Sequence, residues 1–161
     1  MLTPERLREV LSYDQETGIF IWRARISIRI KVGKRAGRPN WKGYRMIGVD
    51  GALIMEHKLA WLYVYGEWPN AQIDHINRDK ADNRIANLRL ATNSQNHINK
   101  GLQKNNTSGF KGVIWEPSLG KWRARIKVNG RNKYVGVFAD KEDAAAARKE
   151  AERRYFGEFA S

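Results

Sequence analysis

The chain has 161 residues, with 30 Lys and Arg against 17 Asp and Glu and a formal net charge of +13, so its composition favours a polyanionic partner. Its 42% hydrophobic content can build folded cores, and the absence of cysteine excludes disulfides, thiolate zinc sites, iron–sulfur clusters and cysteine nucleophiles. No apolar run approaches the roughly 18 residues of a membrane span, and the charged start from Met1 to Leu11 is unlike a signal peptide, so a cytoplasmic location without a membrane partner is expected.

In chain order, Thr3 followed by Pro4 predicts a helix start, with Leu7, Val10 and Leu11 as its apolar stripe to about Ser12. Asp14 to Gly18 reads as a turn and Ile19 to Trp22 as a strand; Ser27 to Lys31 alternates isoleucine with polar or basic residues and extends this β-rich segment. Gly33, Gly37, Pro39 and Gly43 punctuate a basic loop. Tyr44 to Val49 and Ala52 to Met55 form an expected hairpin, because Asp50-Gly51 supplies the positive φ angles of a two-residue turn. A helix is expected from Glu56 to Tyr65, closed by Gly66.

The basic excess is uneven. Residues 1–50 hold 11 basic and 5 acidic side chains, residues 51–100 hold 6 and 5, and residues 101–161 hold 13 and 7. Basic flanks around a nearly neutral centre suit ends that grip phosphate and a middle that uses its carboxylates. The interleaved Trp and Tyr point the same way.

The centre runs Ile73-Asp74-His75-Ile76-Asn77, a polar turn to Asn83, then Asn87-Leu88-Arg89-Leu90-Ala91-Thr92 and Asn93 to Lys100. It reads strand, loop, strand, helix. Thr92 or Asn93 can cap the helix, which puts Asn96 one turn inside it. Asp74 and His75 would diverge on an ideal strand, although a twisted strand end can aim both at one cleft. Asn83 reads equally as a loop residue bonding its own backbone or as part of a site.

This succession resembles the HNH nuclease motif of the ββα-metal fold, of the phage or homing type. The upstream Tyr13-Asp-x-Glu-Thr-Gly-x-Phe-x-Trp22 and His57-Lys-Leu-Ala-Trp61 are similar to that family too. The resemblance implies that Asp74 and Asn96 are ligands of one divalent cation, that His75 is the general base activating water, that Asn87 orients the His75 ring, and that His57 is an accessory residue. His97 lies beside Asn96 but points about 100° away on a helix, so Asn96 is preferred. Histidine, with an ordinary pKa of about 6.5, suits deprotonation of water near neutral pH. One carboxylate and one amide oxygen make a sparse site, so Mg²⁺ or Mn²⁺ would complete its shell with water and phosphate. Without cysteine no structural zinc is expected.

Lys100 to Ser108 is asparagine-rich and reads as a linker. Beyond it, Gly109 to Trp115, Lys121 to Lys127 and Asn132 to Phe138 read as three strands, the last two joined by an Asn129-Gly130 hairpin turn. A helix from about Lys141 to Phe156, capped by Asp140, is expected to face the sheet with Ala144, Ala147, Ala151 and Tyr155. On the middle strand Arg123, Arg125 and Lys127 share one face, and Trp122, Ala124 and Ile126 the other. Such a sheet is about the right width for a DNA major groove. Residues 109–159 resemble the AP-two (ethylene-response-factor) DNA-binding domain. The matched positions imply Lys111, Trp115, Arg123, Arg125, Lys127, Lys133 and Tyr134 as DNA contacts. Ile114 and Arg125 depart from the plant members, so no base preference carries over.

The expected protein is therefore α+β. A β-rich segment and a ββα-metal core at about 70–100 make a nuclease domain of residues 1–100, a linker covers 101–108, and residues 109–161 form a three-stranded antiparallel sheet packed on one helix. Its expected activity is metal-dependent hydrolysis of double-stranded DNA, within a bacterial or phage-infected host cell. A non-catalytic DNA-binding regulator and a basic RNA-binding protein are the competing classes. The choice between monomer and homodimer stays open.

Overall fold

The computed structural model describes residues 1–99, 101–102 and 105–159; Lys100, Gln103 and Lys104 of the expected linker, and the last two residues of the expected carboxy-terminal domain, lie outside the described residues. Helices and small antiparallel sheets make the fold α+β, and the chain divides into two compact units, Met1–Ala91 and Thr92–Ser161.

The first unit opens with helix α1 (Pro4–Val10), whose Thr3 hydroxyl accepts the Arg6 N–H. Leu11 leaves the helix in extended conformation and starts strand β1 (Leu11–Asp14), which pairs with β2 (Ile19–Trp22). The expected helix is thus shorter at its end, because Leu11 and Tyr13 bury alternate positions of a strand. Asp14 builds the turn: its carboxylate accepts the N–H groups of Glu16 and Thr17, and its carbonyl accepts that of Gly18. Ser27–Lys31 is not a strand. Its Ile30 N–H donates to the Ser27 carbonyl at 3.1 Å, and Ile28 lies 84% exposed, so the alternation has no sheet face to bury.

A short strand β3 (Arg38–Pro39) leads to β4 (Arg45–Val49) and β5 (Ala52–Met55), in the order β3-β4-β5. The β4–β5 turn is the expected one, with φ of 48° at Asp50 and 81° at Gly51. Helix α2 (Glu56–Tyr65) follows at once and ends at Gly66, whose φ of 75° is left-handed. Strands β6 (Gln72–His75) and β7 (Leu88–Ala91) pair antiparallel, joined by a long polar loop. Phe20, Leu7, Leu11, Ile47, Leu59 and Leu62 are fully buried between α1, the hairpins and α2, each contributing about 1.5–3 kcal/mol.

One ionic staple sits inside this unit. The Glu56 carboxylate is wholly buried and accepts from Arg45 Nε at 2.8 Å. The Arg45 guanidinium also donates to the carbonyls of Ala36 and Gly37, fastening the chain before β3 to the start of α2. Glu56 stays paired although burial pushes its carboxyl above the ordinary range; the Arg45 charge opposes that shift. His57, the next residue, is positioned by this staple.

The second unit begins with α3 (Asn93–Ile98). Thr92 caps it through a reciprocal pair, the Thr92 hydroxyl accepting the Gln95 N–H and Gln95 Oε1 accepting the Thr92 N–H. Strands β8 (Val113–Glu116), β9 (Lys121–Val128) and β10 (Arg131–Phe138) form one antiparallel sheet with β9 central. Asn129 and Gly130, at φ 49° and 78°, make the predicted tight turn. Helix α4 (Lys141–Phe156) packs on this sheet. Its buried residues are Ala144, Arg148 and Glu152; of the expected face Ala144 is buried and Ala147 and Ala151 are partly buried, but Tyr155 is 42% exposed. Arg148 Nε reaches the Arg125 carbonyl at 2.8 Å while the guanidinium lies 3.2 Å from Glu152. Asp140 occupies the N-cap position without a side-chain cap bond.

Candidate active site

Asp74 and His75 end β6, opposite Arg89 and Leu88 of β7, and both are buried, at 7% and 5% exposure. After them the chain turns through Arg78, a non-glycine residue at φ 66° whose N–H donates to the His75 carbonyl. A set of side-chain-to-backbone bonds then shapes the loop: Asn77 Oδ1 accepts the Asp79 N–H and Asp79 Oδ1 the Ala81 N–H. Asp82 holds Arg84 by two bonds, 2.8 and 2.6 Å, and accepts from Asn77. The arginine keeps its carboxyl well below the ordinary 3.8, at about 2.

Asn87 clamps this loop. Its amide oxygen accepts the Asn77 N–H at 3.0 Å, and its amide nitrogen donates to Asn77 Oδ1 and to the Asp82 carbonyl. These bonds go to the loop; the amide found on the His75 ring belongs to Asn83. Asn83 is fully buried and sets its Oδ1 3.2 Å from His75 Nε2. Its Nδ2 donates to the Ala81 carbonyl, which fixes which end of the amide faces the ring. Asn83 therefore fills both of the roles open to it in the sequence, bonding its own loop and meeting the site. An oxygen at Nε2 requires that nitrogen to carry the proton, which leaves Nδ1 as the basic nitrogen.

Asn83 is in turn held from the amino-terminal hairpin. The Tyr13 hydroxyl donates to the Asn83 carbonyl at 2.6 Å, and burial raises the Tyr13 pKa, keeping it a donor. Gly18 passes so close that a Cβ there would lie 2.4 Å from Arg84 N and 2.5 Å from Asn83 C. Sequence reasoning assigned no site role to Tyr13 or Gly18. Their signal was the Tyr-Asp-x-Glu-Thr-Gly run that they begin and end.

Three rings enclose the site. His57 from α2 stands edge-on to His75 at 5.1 Å, and Tyr44 lies 5.4 Å from His57 and 5.9 Å from His75. Burial disfavours the charged form of both histidines. Burial lowers the His57 pKa to about 3, helped by the His75 and Lys58 charges, and burial also lowers that of His75, against the opposing pull of Asn83 and Asp74. His57 Nδ1 makes no hydrogen bond among the described residues. The Asp74 carboxylate meets Arg89 across the strand pair, Oδ2 lying 3.0 Å from Nε and 2.9 Å from Nη2.

In the second unit Asn96 lies inside α3, its N–H on the Thr92 carbonyl; the side chain of His97 lies outside the described residues. On the β8–β9–β10 sheet, Arg125 pairs across to Tyr134 and Arg123 to Ile114 and Val137. Arg125 and Lys127 are exposed, Tyr134 is 69% exposed, and Ala124 and Ile126 are buried beneath them. This is the basic face expected from the alternation, though Arg123 is ion-paired to Glu116 at 2.8 Å. Trp115 pairs with Trp122, and Lys133 with Ile126, on the opposite face, with Lys133 Nζ over the Tyr155 ring. Lys111 precedes β8 and is partly buried.

A segment with a buried, amide-held His beside an Asp, closed by an Asn clamp and followed by a short capped helix, has a counterpart among known families. Residues 55–98 match the HNH endonuclease family. The matched segment spans α2, β6, β7 and α3, and so includes His57, Asp74, His75, Asn87 and Asn96. The chain is 34% identical over 76 residues to Protein 3.8 of Escherichia phage T7, covering 47% of this chain and 63% of that protein. It is 30% identical over 120 residues to an uncharacterized HNH endonuclease of Acanthamoeba polyphaga mimivirus, covering 74% of this chain and 62% of the relative. In both cases the match spans less than two thirds of the relative's length. No solved structure matches. Among the described residues no helix is long and apolar enough to cross a membrane.

Proposed function

We propose that this chain is a DNA endonuclease that hydrolyses phosphodiester bonds with the help of a divalent cation. The observation that carries the proposal is the buried His75, its ring held through Nε2 by Asn83, adjacent to Asp74 within the segment matched to the HNH family. With Nε2 protonated, His75 Nδ1 takes a proton from water as the water oxygen bonds to phosphorus. The P–O bond to the leaving 3′ oxygen breaks, and solvent protonates that oxygen. Asn83 keeps the ring in the tautomer the step requires. Asn87 acts one stage back, as a positioning residue that fixes the loop carrying Asn83. His57 and Tyr44 pack against the ring and add to the burial that disfavours its charged form.

Asp74 would hold the cation, and the sequence resemblance assigns Asn96 the same role. Among the described residues no group of three His, Asp or Glu could form a full protein cage. A single buried carboxylate supplies hard oxygen, which fits Mg²⁺ or Mn²⁺ with much of the shell left to water and phosphate. When bound, such an ion neutralises charge building on the phosphate and the leaving oxygen. Binding there would have to displace or share the Arg89 bond that Asp74 Oδ2 now accepts. The basic face of Arg125, Lys127 and Tyr134 on the second unit would bind duplex DNA independently of the cut.

The test is supercoiled plasmid incubated with the chain in EDTA, Mg²⁺ or Mn²⁺. Metal-dependent nicking or linearisation is expected, and His75→Ala is expected to lower the rate by about 10²–10⁴-fold with DNA affinity retained. Unchanged cleavage by that variant rejects the general-base assignment. Binding by the wild-type chain without cleavage under any metal would instead identify a non-catalytic DNA-binding regulator.

A further inference from the structure

Residues 31–45 carry six basic side chains and no acidic one, and at the tip of this segment Trp41 is 89% exposed. The tip is rigid. Asn40 Oδ1 accepts the N–H groups of Lys42 and Tyr44 at 2.9 and 3.0 Å, the Asn40 N–H donates to the Tyr44 carbonyl at 2.7 Å, and the Gly43 N–H donates to the Asn40 carbonyl. Below it, β3 pairs with β4 at Pro39 and Arg45, and Arg45 is anchored to Glu56. An indole left in water forgoes a few kcal/mol of burial, and here it is presented on a turn without the freedom to fold back.

The turn is also tied to the candidate site. Lys80, from the loop that carries Asn83, donates to the Lys42 carbonyl at 3.0 Å and lies 5.0 Å over the Tyr44 ring, while Tyr44 faces both His57 and His75. Three chain steps separate Trp41 from Tyr44, at most ~11 Å between Cα atoms, which is about three base steps along one strand. Lys42 Nζ lies 4.7 Å over one face of the indole, which leaves the opposite face of this 89% exposed ring to meet a base, and Lys34, Arg35 and Arg38 are exposed on the same segment.

We propose that Trp41 is a base-stacking element: its indole stacks on a nucleobase of the DNA strand lying across the site, with Lys42 and its basic neighbours meeting the adjoining phosphates. Every base has a π-face, so the contact tolerates sequence and strengthens where a base is unpaired or easily unstacked. It rests on the endonuclease proposal for its geometry, since the strand at Trp41 is the one presented to His75. On an intact duplex the indole acts as a wedge, and part of its stacking gain offsets the disruption of a base step.

The experiment compares full-length wild type, Trp41→Ala, Trp41→Phe and Lys42→Ala by fluorescence anisotropy with a labelled 20-nucleotide single strand and its duplex, in EDTA over a range of salt. Trp41→Ala is expected to weaken single-strand binding by about 5–100-fold with the log–log salt slope unchanged, because no phosphate contact is lost. The duplex loss should be smaller, and Trp41→Phe should recover most of the affinity. Lys42→Ala should instead flatten the slope by about one. Melting temperatures should stay at the wild-type value, as Trp41 makes no core contact. Unchanged single-strand affinity in Trp41→Ala, or a loss accompanied by a flattened slope, overturns the proposal. Because binding is read in EDTA, failure of the wild type to cut plasmid would refute the endonuclease proposal while leaving this result to stand or fall by itself.

Discussion

Replacing Gly18 by alanine tests the link between the amino-terminal hairpin and the histidine. Gly18 sits at φ +70°, and a Cβ there would lie 2.4 Å from Arg84 N and 2.5 Å from Asn83 C. Both are backbone atoms, so no side-chain rotation relieves the contact. Restoring an ordinary separation of about 3.5 Å moves the Asn83–Arg84 segment by about 1 Å. Left-handed φ costs alanine about 1–2 kcal/mol and overpacking about 1–3 kcal/mol, together about 2–5 kcal/mol. At about 4–8 °C per kcal/mol for a unit of this size, the melting temperature read by circular dichroism should fall by ~8 °C or more. The same shift pulls Asn83 Oδ1 from His75 Nε2, now 3.2 Å away, and a misplacement of about 1 Å costs about 10²-fold in rate. Gly51→Ala is the control. Its φ is +81°, but no atom lies within 4 Å of the added Cβ, so it should lose only ~1–2 kcal/mol and cut plasmid like the wild type. A Gly18→Ala protein that melts with Gly51→Ala and retains full cleavage would refute the proposed packing of hairpin against loop.

Two further outcomes follow from the electrostatics. Asp82 has a folded pKa of about 2 against an ordinary 3.8, chiefly through its bonds to Arg84, so it stabilises the loop fully above about pH 5 and loses that contribution as pH falls through about 2. The shift is worth under ~3 kcal/mol unscreened; with Arg84 50% exposed, about 1 kcal/mol remains after screening. Urea unfolding of wild type and Asp82→Asn should therefore differ by that amount at neutral pH and converge near pH 2; a difference independent of pH would reject the assignment. The double variant Arg125→Ala, Lys127→Ala should weaken duplex binding and flatten its log–log salt dependence by about two, measured by anisotropy, whereas an unchanged slope would remove the basic face of β9 from the DNA contact.

Much of the secondary structure was legible residue by residue. Asp50-Gly51, Asn129-Gly130 and Gly66 adopt the positive φ angles that their types favour, and the alternation along β9 leaves Arg125 and Lys127 exposed above Ala124 and Ile126. Those features depend on neighbours within a few positions, and so local chemistry alone determines them. Where local pattern was not enough, the tertiary surroundings decided: Ser27–Lys31 alternates but finds no partner strand, and Arg148 and Glu152 of α4 are buried beside Ala144, with Arg148 reaching the Arg125 carbonyl.

The candidate site divides in the same way. Asp74, His75 and Asn87 stand out in the sequence as residue types at a telling spacing, and His57 through its upstream motif. Which asparagine meets the ring was a tertiary decision. Asn77, Asn83 and Asn87 are chemically equivalent amides in one loop, and the assignment of Asn83 to His75 and of Asn87 to the loop clamp depends on how that loop closes. Its closure is set by Tyr13 and Gly18, some seventy residues earlier. Residue type and local spacing therefore determined the chemistry available to this protein. Close packing between segments far apart in the chain decided which atoms meet at the candidate site, because a hydrogen bond of 3.2 Å between buried groups is met only when the backbone on both sides is held in place.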